Sequence, residues 1–349
     1  MEKGRAPALL VFLQKDKSLH LREDHEILPL QELPLIISVS RRTDIPAFYG
    51  QWFLNRLKAG EVLVRNPLNR TQVSSIPLKK ENVDCFVFWT KDPGPFLPYL
   101  DELDSYDIPY YFSITITAYG RDMEKNMREK RDIVESVEDL SVRIGAERII
   151  WRYDPILFTE SMDTSFHLGA FESLAASLEG STEKCIFSFL SEYGKIGGFI
   201  RGKGVVKPVR EQLRTLVKRM SAIAAERGMS LASCALTEDF SEYAVEHNSC
   251  VDPLLIGKLC GYTIKSRKDK SQRLACSCAE SRDIGTYNTC LHGCLYCYAN
   301  RNPASIRAKA DLYDPDSSLL CDSLRGDEIV RTVTGNSSRK SSTRQMSLF

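Results

Sequence analysis

Three cysteines, Cys290, Cys294 and Cys297, are spaced C-x3-C-x2-C within the run Thr289-Cys290-Leu291-His292-Gly293-Cys294-Leu295-Tyr296-Cys297-Tyr298. Cubane [4Fe–4S] clusters are held in proteins by cysteine thiolates. Three closely spaced thiolates hold three corners of a cubane from one loop and leave the fourth iron with an open site. An open iron is what a second cofactor needs to bind through an amine and a carboxylate and to accept one electron. Gly293 lets the backbone turn tightly around the sulfurs without a Cβ penalty. The five histidines form no metal-spaced pair, and His292, inside this loop, is the one suggestive member.

The chain holds eleven cysteines, unevenly distributed. Cys85 and Cys185 sit alone in apolar runs and read as small buried hydrophobes. The other nine run from Cys234 to Cys321. A secreted disulfide scaffold is shorter and denser in cysteine, whereas closely spaced cysteines in a reducing cytosol are more often metal ligands. Cys234, Cys250, Cys276 and Cys278, with Cys260 between them, suffice for a second [4Fe–4S] cluster or for a tetrahedral zinc. Unpaired thiols in a loop are the plain alternative. The C-x-C of Cys276 and Cys278 is too tight for a disulfide between neighbours but suits two bonds to one centre.

These cysteines need a scaffold. Six short apolar runs recur, at residues 35–39 (LIISV), 85–89 (CFVFW), 110–116 (YYFSITI), 148–151 (RIIW), 185–190 (CIFSFL) and 229–232 (MSLA). Near-continuous hydrophobicity is expected of parallel strands buried on both faces. Helical patterns lie between them, at 48–57 stopping at Gly60, at 127–144 ending at Gly145, and at 164–178 before Gly180. A fourth begins at Pro208, with Leu213, Leu216, Val217, Met220 and Ile223 as its apolar stripe. This alternation predicts a partial (β/α) barrel of about six parallel strands, with an open doubly wound sheet as the second choice. Cys234 then falls at a strand end, aimed at the barrel mouth.

Three predicted strands finish alike: Arg42-Thr43-Asp44-Ile45-Pro46, Lys91-Asp92-Pro93 and Arg152-Tyr153-Asp154-Pro155. Proline cannot donate to the ladder and ends each strand, so the charged residues before it ring one rim of the sheet. Arg41, Arg42, Lys91 and Arg152 could hold a cofactor carboxylate or a substrate phosphate, and Asp154 or its fellow aspartates ribose hydroxyls or an amine. Ion pairs and turn caps that merely order the rim are the alternative. Thr115, Thr117 and Ser188 are candidates to face the same cavity.

The cysteine motif, in its local form CLHGCLYCYANR, resembles the signature of the radical S-adenosylmethionine superfamily, above all its spore-photoproduct-lyase-like members. That resemblance implies that Cys290, Cys294 and Cys297 ligate a [4Fe–4S] cluster and that Tyr296 lies close to the adenine of S-adenosylmethionine. It also implies a 5′-deoxyadenosyl radical that abstracts hydrogen from substrate, and a reductant such as flavodoxin or ferredoxin. The segments ISVSRRTDIP, FWTKDP, WRYDPI and YNTCLHGCLYCYAN resemble the domain-of-unknown-function 1848 family over nearly the full length, which supplies no established reaction. In the superfamily the cysteine loop normally follows the first barrel strand, whereas here it follows the last, as in a permuted barrel. The glycine-rich segment that usually binds the methionine amino group has no clear match. Two other readings stand beside the enzyme: an iron–sulfur electron-transfer or redox-sensing protein, and a zinc-stabilised binding module. A large barrel with a polar rim favours the enzyme.

The expected organisation is an N-terminal extension (1–30), the barrel (31–235), a cysteine-rich segment completing the active site (236–310), and a C-terminal extension with a flexible tail (311–349). Hydrophobic residues make up 43% and charged residues 27%, the balance of an ordinary globular protein. A net charge of +1 argues neither for nor against a nucleic-acid partner. No apolar run approaches the ~20 residues that span a bilayer, and the run at 6–13 (APALLVFL) reads as a buried strand rather than a signal peptide. The expected location is cytoplasmic. The last residues, with Gln345, Leu348 and Phe349, resemble the bacterial sliding-clamp-binding pentapeptide; Leu348 and Phe349 packing back on the barrel is the alternative.

Overall fold

A computed structural model describes residues 35–191 and 197–333. The expectations for residues 1–30, for the tail beyond residue 335 and for the clamp-binding residues Gln345, Leu348 and Phe349 lie outside the described residues. The strands are β1 (Ile36–Val39), β2 (Glu61–Arg65), β3 (Gln72–Pro77), β4 (Cys85–Thr90), β5 (Tyr110–Thr115), β6 (Ile149–Ile156), β7 (Lys184–Phe189), β8 (Ser230–Cys234), β9 (Glu246–Asn248), β10 (Arg282–Asp283) and β11 (Ile329–Thr332). The helices are α1 (Ile45–Phe48), α2 (Gly50–Ala59), α3 (Leu100–Ser105), α4 (Lys130–Ile144), α5 (Thr164–Ser177), α6 (Gly197–Gly202), α7 (Arg210–Glu226), α8 (Pro253–Cys260) and α9 (Pro303–Ala310).

All six apolar runs become strands of one parallel sheet, in the order β10-β1-β4-β5-β6-β7-β8-β9. The sheet has eight strands rather than the expected six, because two short polar segments, β9 and β10, pair with its edges. From β1 to β9 the order runs in one direction, without the reversal that defines a doubly wound sheet. Among the described residues β9 and β10 do not pair with each other, so no closed barrel forms. A second sheet, β11-β3-β2, joins residues 329–332 in parallel to β3.

Successive strand residues face opposite ways, and two cores result. On one face Phe86, Phe88, Phe112, Trp151 and Phe187 pack against Trp52 and Phe53 of α2, Val137 of α4, Phe171 of α5 and Met220 of α7. The other face is covered differently. There Ile36, Val87, Tyr111, Ile150 and Ile186 meet Val251, Ile256, Ile264 and Ala279 together with Cys234, Cys250, Cys276 and Cys278. The long crossover helices therefore share one side of the sheet, and residues 250–279 fill the other.

Local signals explain most boundaries. Asp44 and Asp163 cap α1 and α5, accepting from Ala47 N at 3.0 Å and Phe166 N at 2.9 Å. Gly60, at φ +78°, closes α2 in the left-handed conformation. Two expectations are corrected. α7 begins at Arg210 rather than Pro208, with extended Val209 as its N-cap. Pro155 does not end its strand: β6 continues to Ile156, and the missing proline donor falls where its register with β7 shifts between Tyr153 and Ile156. The cysteine-rich segment also carries more regular structure than its weak periodicity suggests, in β9, α8, β10 and α9. No helix among the described residues is long and apolar enough to cross a membrane.

Candidate functional site

The chain leaves β1, β4 and β5 carrying Asp44, Lys91 and Thr117, and the cysteine loop is fastened to these strand ends. Asp44 accepts three hydrogen bonds: its Oδ1 from Ala47 N, its Oδ2 from Lys91 N at 2.7 Å and from His292 Nε2 at 2.7 Å. His292 is buried under Phe48, with ring centroids 4.6 Å apart. Its other ring nitrogen, Nδ1, is buried without a hydrogen-bond partner among the described residues. Residues 123–126 grip the loop from the other side: Leu295 N donates to Met123 O at 2.9 Å and Asn126 N to His292 O at 3.0 Å. Asn126 Nδ2 donates to Leu291 O at 2.6 Å. Gly293 stands beside Asn126 at φ +69°, where a Cβ would lie 3.1 Å from Asn126 Nδ2.

Glu124 is the centre of this attachment. Its side chain is 2% exposed and accepts from Lys91 Nζ at 2.8 Å, from Thr117 Oγ1 at 2.7 Å and from the Tyr296 hydroxyl, with Lys130 Nζ 3.7 Å from its second oxygen. Burial alone would raise its pKa, but Lys91 and Lys130 outweigh burial and bring it down to about 2. Burial raises the Cys290 thiol well above its ordinary range, with Asp44, Cys297 and Cys294 adding to the effect. The Cys294 thiol is pushed up to about 12 by burial, opposed by Lys91. Cys297 Sγ accepts the Ala299 N–H at 3.4 Å. The triad thus lies in one electrostatic neighbourhood, its charges acting on one another, with Lys91 as the nearby cation.

The second cysteine set also comes together. Cys234 ends β8, Cys250 follows β9, and Cys276 and Cys278 precede β10. Sγ of Cys234 stands 3.2 Å from Sγ of Cys250, Cys278 Sγ accepts from Val251 N at 3.5 Å, and Cys276 Sγ accepts from Cys278 N at 3.4 Å. Hydrogen bonds from the Cys234 and Cys278 thiols, with help from Arg152, hold Cys250 below the ordinary thiol range against burial. Arg152 Nη1 donates to Cys250 Sγ at 2.9 Å, and its Nη2 to Asp154, which also accepts from Ser188. As the side chains stand, no group of three or more His, Cys, Asp or Glu among the described residues is arranged to hold a metal ion. None of the eleven cysteines is in a disulfide.

Of the residues singled out for cofactor binding, Lys91 and Tyr296 lie beside the triad. Arg152 and Asp154 lie with the second cysteines. Arg41 and Arg42 surround Asp283, which accepts from Ser38 and Ser40 side chains and from Arg41 N; Arg41 also reaches Asp269 at 3.4 Å. Their cations are engaged in the ion pairs of the ordered-rim alternative. The Trp89 ring has the Arg41 guanidinium 5.9 Å and the Arg152 guanidinium 5.4 Å from its centre, linking the rim to the second cysteine set. Thr117 meets the buried carboxylate of Glu124, and Ser188 the half-buried one of Asp154. Cys260 instead donates to Asp84 O at 3.3 Å. Sequence reasoning missed Glu124, Asp283 and Lys130; none stands in a recognisable motif, and their partners are distant along the chain.

Fold and site together define an α/β protein whose cysteine loop is docked at the C-terminal ends of parallel strands, where such sheets bind ligands. The chain belongs to the family described as Domain of unknown function (DUF1848), which matches residues 36–299. The match takes in all eight strands of the large sheet and both cysteine sets. No curated protein matches the chain.

Proposed function

We propose that Cys290, Cys294 and Cys297 hold a [4Fe–4S] cluster with one open iron, and that the protein is a cytoplasmic radical S-adenosylmethionine-type enzyme built on a partial (β/α) barrel. The observation that carries this reading is the docking of a three-cysteine loop on Asp44, Lys91 and Glu124 at the ends of three neighbouring parallel strands.

The donor types suit the group, and loading would draw the three side chains together from where they stand. Three thiols share one loop without a disulfide, a cation stands beside Cys294, and one buried ring nitrogen of the loop lacks a partner among the described residues. Bound cluster and S-adenosylmethionine, reduced by a flavodoxin or ferredoxin, would supply a 5′-deoxyadenosyl radical for hydrogen abstraction. The chain's own residues do the holding. Asp44 fixes His292, and Glu124 fixes Tyr296 and Lys91, so that buried charge positions the loop together with the packing of Tyr296 and Leu295 against Tyr119, Met123 and Leu157. Lys91 offsets part of the negative charge that three thiolates bring into a buried site. Tyr296, buried with the Tyr119 ring 5.6 Å away and Lys91 Nζ 5.9 Å from its ring centre, is the aromatic residue that the superfamily resemblance would put near the adenine.

Anaerobic purification followed by iron and sulfide analysis tests the cluster, and adding S-adenosylmethionine to reduced protein tests the open iron. Expected are about four irons and four sulfides bound through the triad, a changed paramagnetic spectrum, and slow release of 5′-deoxyadenosine and methionine. A colourless protein without sulfide after reconstitution refutes the cluster. A cluster whose spectrum ignores the cofactor leaves an electron-transfer protein instead.

A further inference from the structure

We infer that Cys234, Cys250, Cys276 and Cys278 bind one tetrahedral zinc ion, which fastens residues 248–279 to the face of the sheet opposite the crossover helices. The site is separate from the triad.

Sulfur spacing selects a single ion over a second cubane. Each thiolate of a cubane sits on its own iron, at a different corner, so the four sulfurs radiate outward and cannot touch. Four thiolates on one zinc, at about 2.3 Å, stand about 3.8 Å apart at the tetrahedral angle. Here Cys234 and Cys250 sulfurs are 3.2 Å apart, Cys278 Sγ lies 3.5 Å from the backbone nitrogen of Val251, next to Cys250, and Cys276 Sγ lies 3.4 Å from the backbone nitrogen of Cys278. Spreading the Cys234–Cys250 contact by about 0.6 Å brings it to the zinc value, a movement within reach of small χ adjustments. A cubane would require that contact to be broken altogether.

The surroundings suit metal-bound thiolates. Three of the four sulfurs receive N–H donors: Cys250 from Arg152 Nη1 at 2.9 Å and Asn248 Nδ2 at 3.5 Å, Cys278 from Val251 N at 3.5 Å, and Cys276 from Cys278 N at 3.4 Å. Such outer donors orient and stabilise metal ligands. Zinc with four thiolates carries a net charge of −2, and the buried Arg152 guanidinium offsets part of it. Within the segment only Val251, Ile256, Ile264 and Ala279 are fully buried apolar residues of the inner core beside the cysteines, with Leu255, Leu259 and Tyr262 partly buried against them. Structural zinc contributes its binding free energy directly to folding such a segment.

Element-specific measurements keep this inference apart from the triad. In anaerobically isolated protein, zinc analysis should find about one zinc per chain, and zinc-edge X-ray absorption should find four sulfurs at about 2.3 Å. The Cys290→Ala, Cys294→Ala, Cys297→Ala chain should keep its zinc and hold no iron or sulfide. The Cys234→Ser, Cys276→Ser chain should lose the zinc. Should that chain not fold, the absorption spectrum of the unaltered protein still decides the ligand set. Four irons and sulfides surviving in the triad variant, a zinc shell containing nitrogen, a Cys234–Cys250 disulfide in fresh protein, or no stoichiometric zinc would each overturn the inference.

Discussion

Replacing Glu124 by glutamine removes the charge but keeps an oxygen acceptor for Thr117 and Tyr296, which isolates the electrostatic part of the loop's attachment. The Lys91 ammonium, with its side chain 13% exposed, is then left buried without its counter-ion. Two routes give the cost. Breaking a buried ion pair by removing one partner costs about 3–5 kcal/mol. Independently, the fall of the Glu124 pKa from an ordinary 4.5 to about 2 corresponds, at about 1.4 kcal/mol per pH unit, to about 3 kcal/mol. The folded pKa is depressed, so this stability is complete above pH 4.5 and is lost as pH falls toward 2. Of the ~3 kcal/mol, about 0.8 should be gone at pH 4 and about 2 at pH 3. Chemical denaturation of the unaltered and Glu124→Gln chains at pH 7, 4 and 3 measures the difference, and metal lost by both on acidification cancels. A gap under about 1 kcal/mol at pH 7, or one that does not narrow on acidification, would refute the assignment of Glu124 as the electrostatic anchor.

Gly293→Ala forces a Cβ into a left-handed residue, at a cost of about 1–2 kcal/mol, and against Asn126; anaerobic reconstitution should then load less iron, and full loading would mean that the loop adapts. Asp44→Ala removes the acceptor of Ala47 N, Lys91 N and His292 at once, and equilibrium unfolding should show a loss of about 2–4 kcal/mol. Arg152→Lys keeps the charge but not the fork that reaches Cys250 and Asp154 together. Zinc occupancy should fall in it nearly as far as in Arg152→Met; full occupancy in the lysine variant would show that charge alone suffices.

The parts of this molecule that were legible in its sequence are those whose cause is local. Phe86, Phe88, Tyr111 and Phe112 announce strands because a parallel sheet buried on both faces needs apolar residues at every position. Gly60 and Gly145 mark helix ends through backbone preferences that act within a few residues. The edge strands β9 (EHN) and β10 (RD) carry no such signal, and their pairing is decided by the strands beside them. β11 is exposed throughout and pairs with a strand more than 250 residues earlier, so nothing near it in sequence predicts it. Pro155 misled because proline is excluded from a regular ladder but accepted at an irregularity, and irregularity is a property of two strands.

The two cysteine sets divide along the same line. The triad is visible as spacing, since one loop supplies all three sulfurs. The second set is scattered over 45 positions from Cys234 to Cys278, and only the end of β8, the edge strand β9 and the approach to β10 bring Cys234 against Cys250 and Cys276 and Cys278 near them. Residue type alone left a cubane and a zinc equally open there. The distinction is one of sulfur–sulfur distance, which depends on how closely three separate chain segments converge on Arg152. Glu124 belongs to the same category: a carboxylate in an irregular loop, unremarkable until Lys91, Thr117 and Tyr296 arrive from three other places. Chemistry built from one loop can be read from residue order, whereas chemistry built by the sheet must be read from distances.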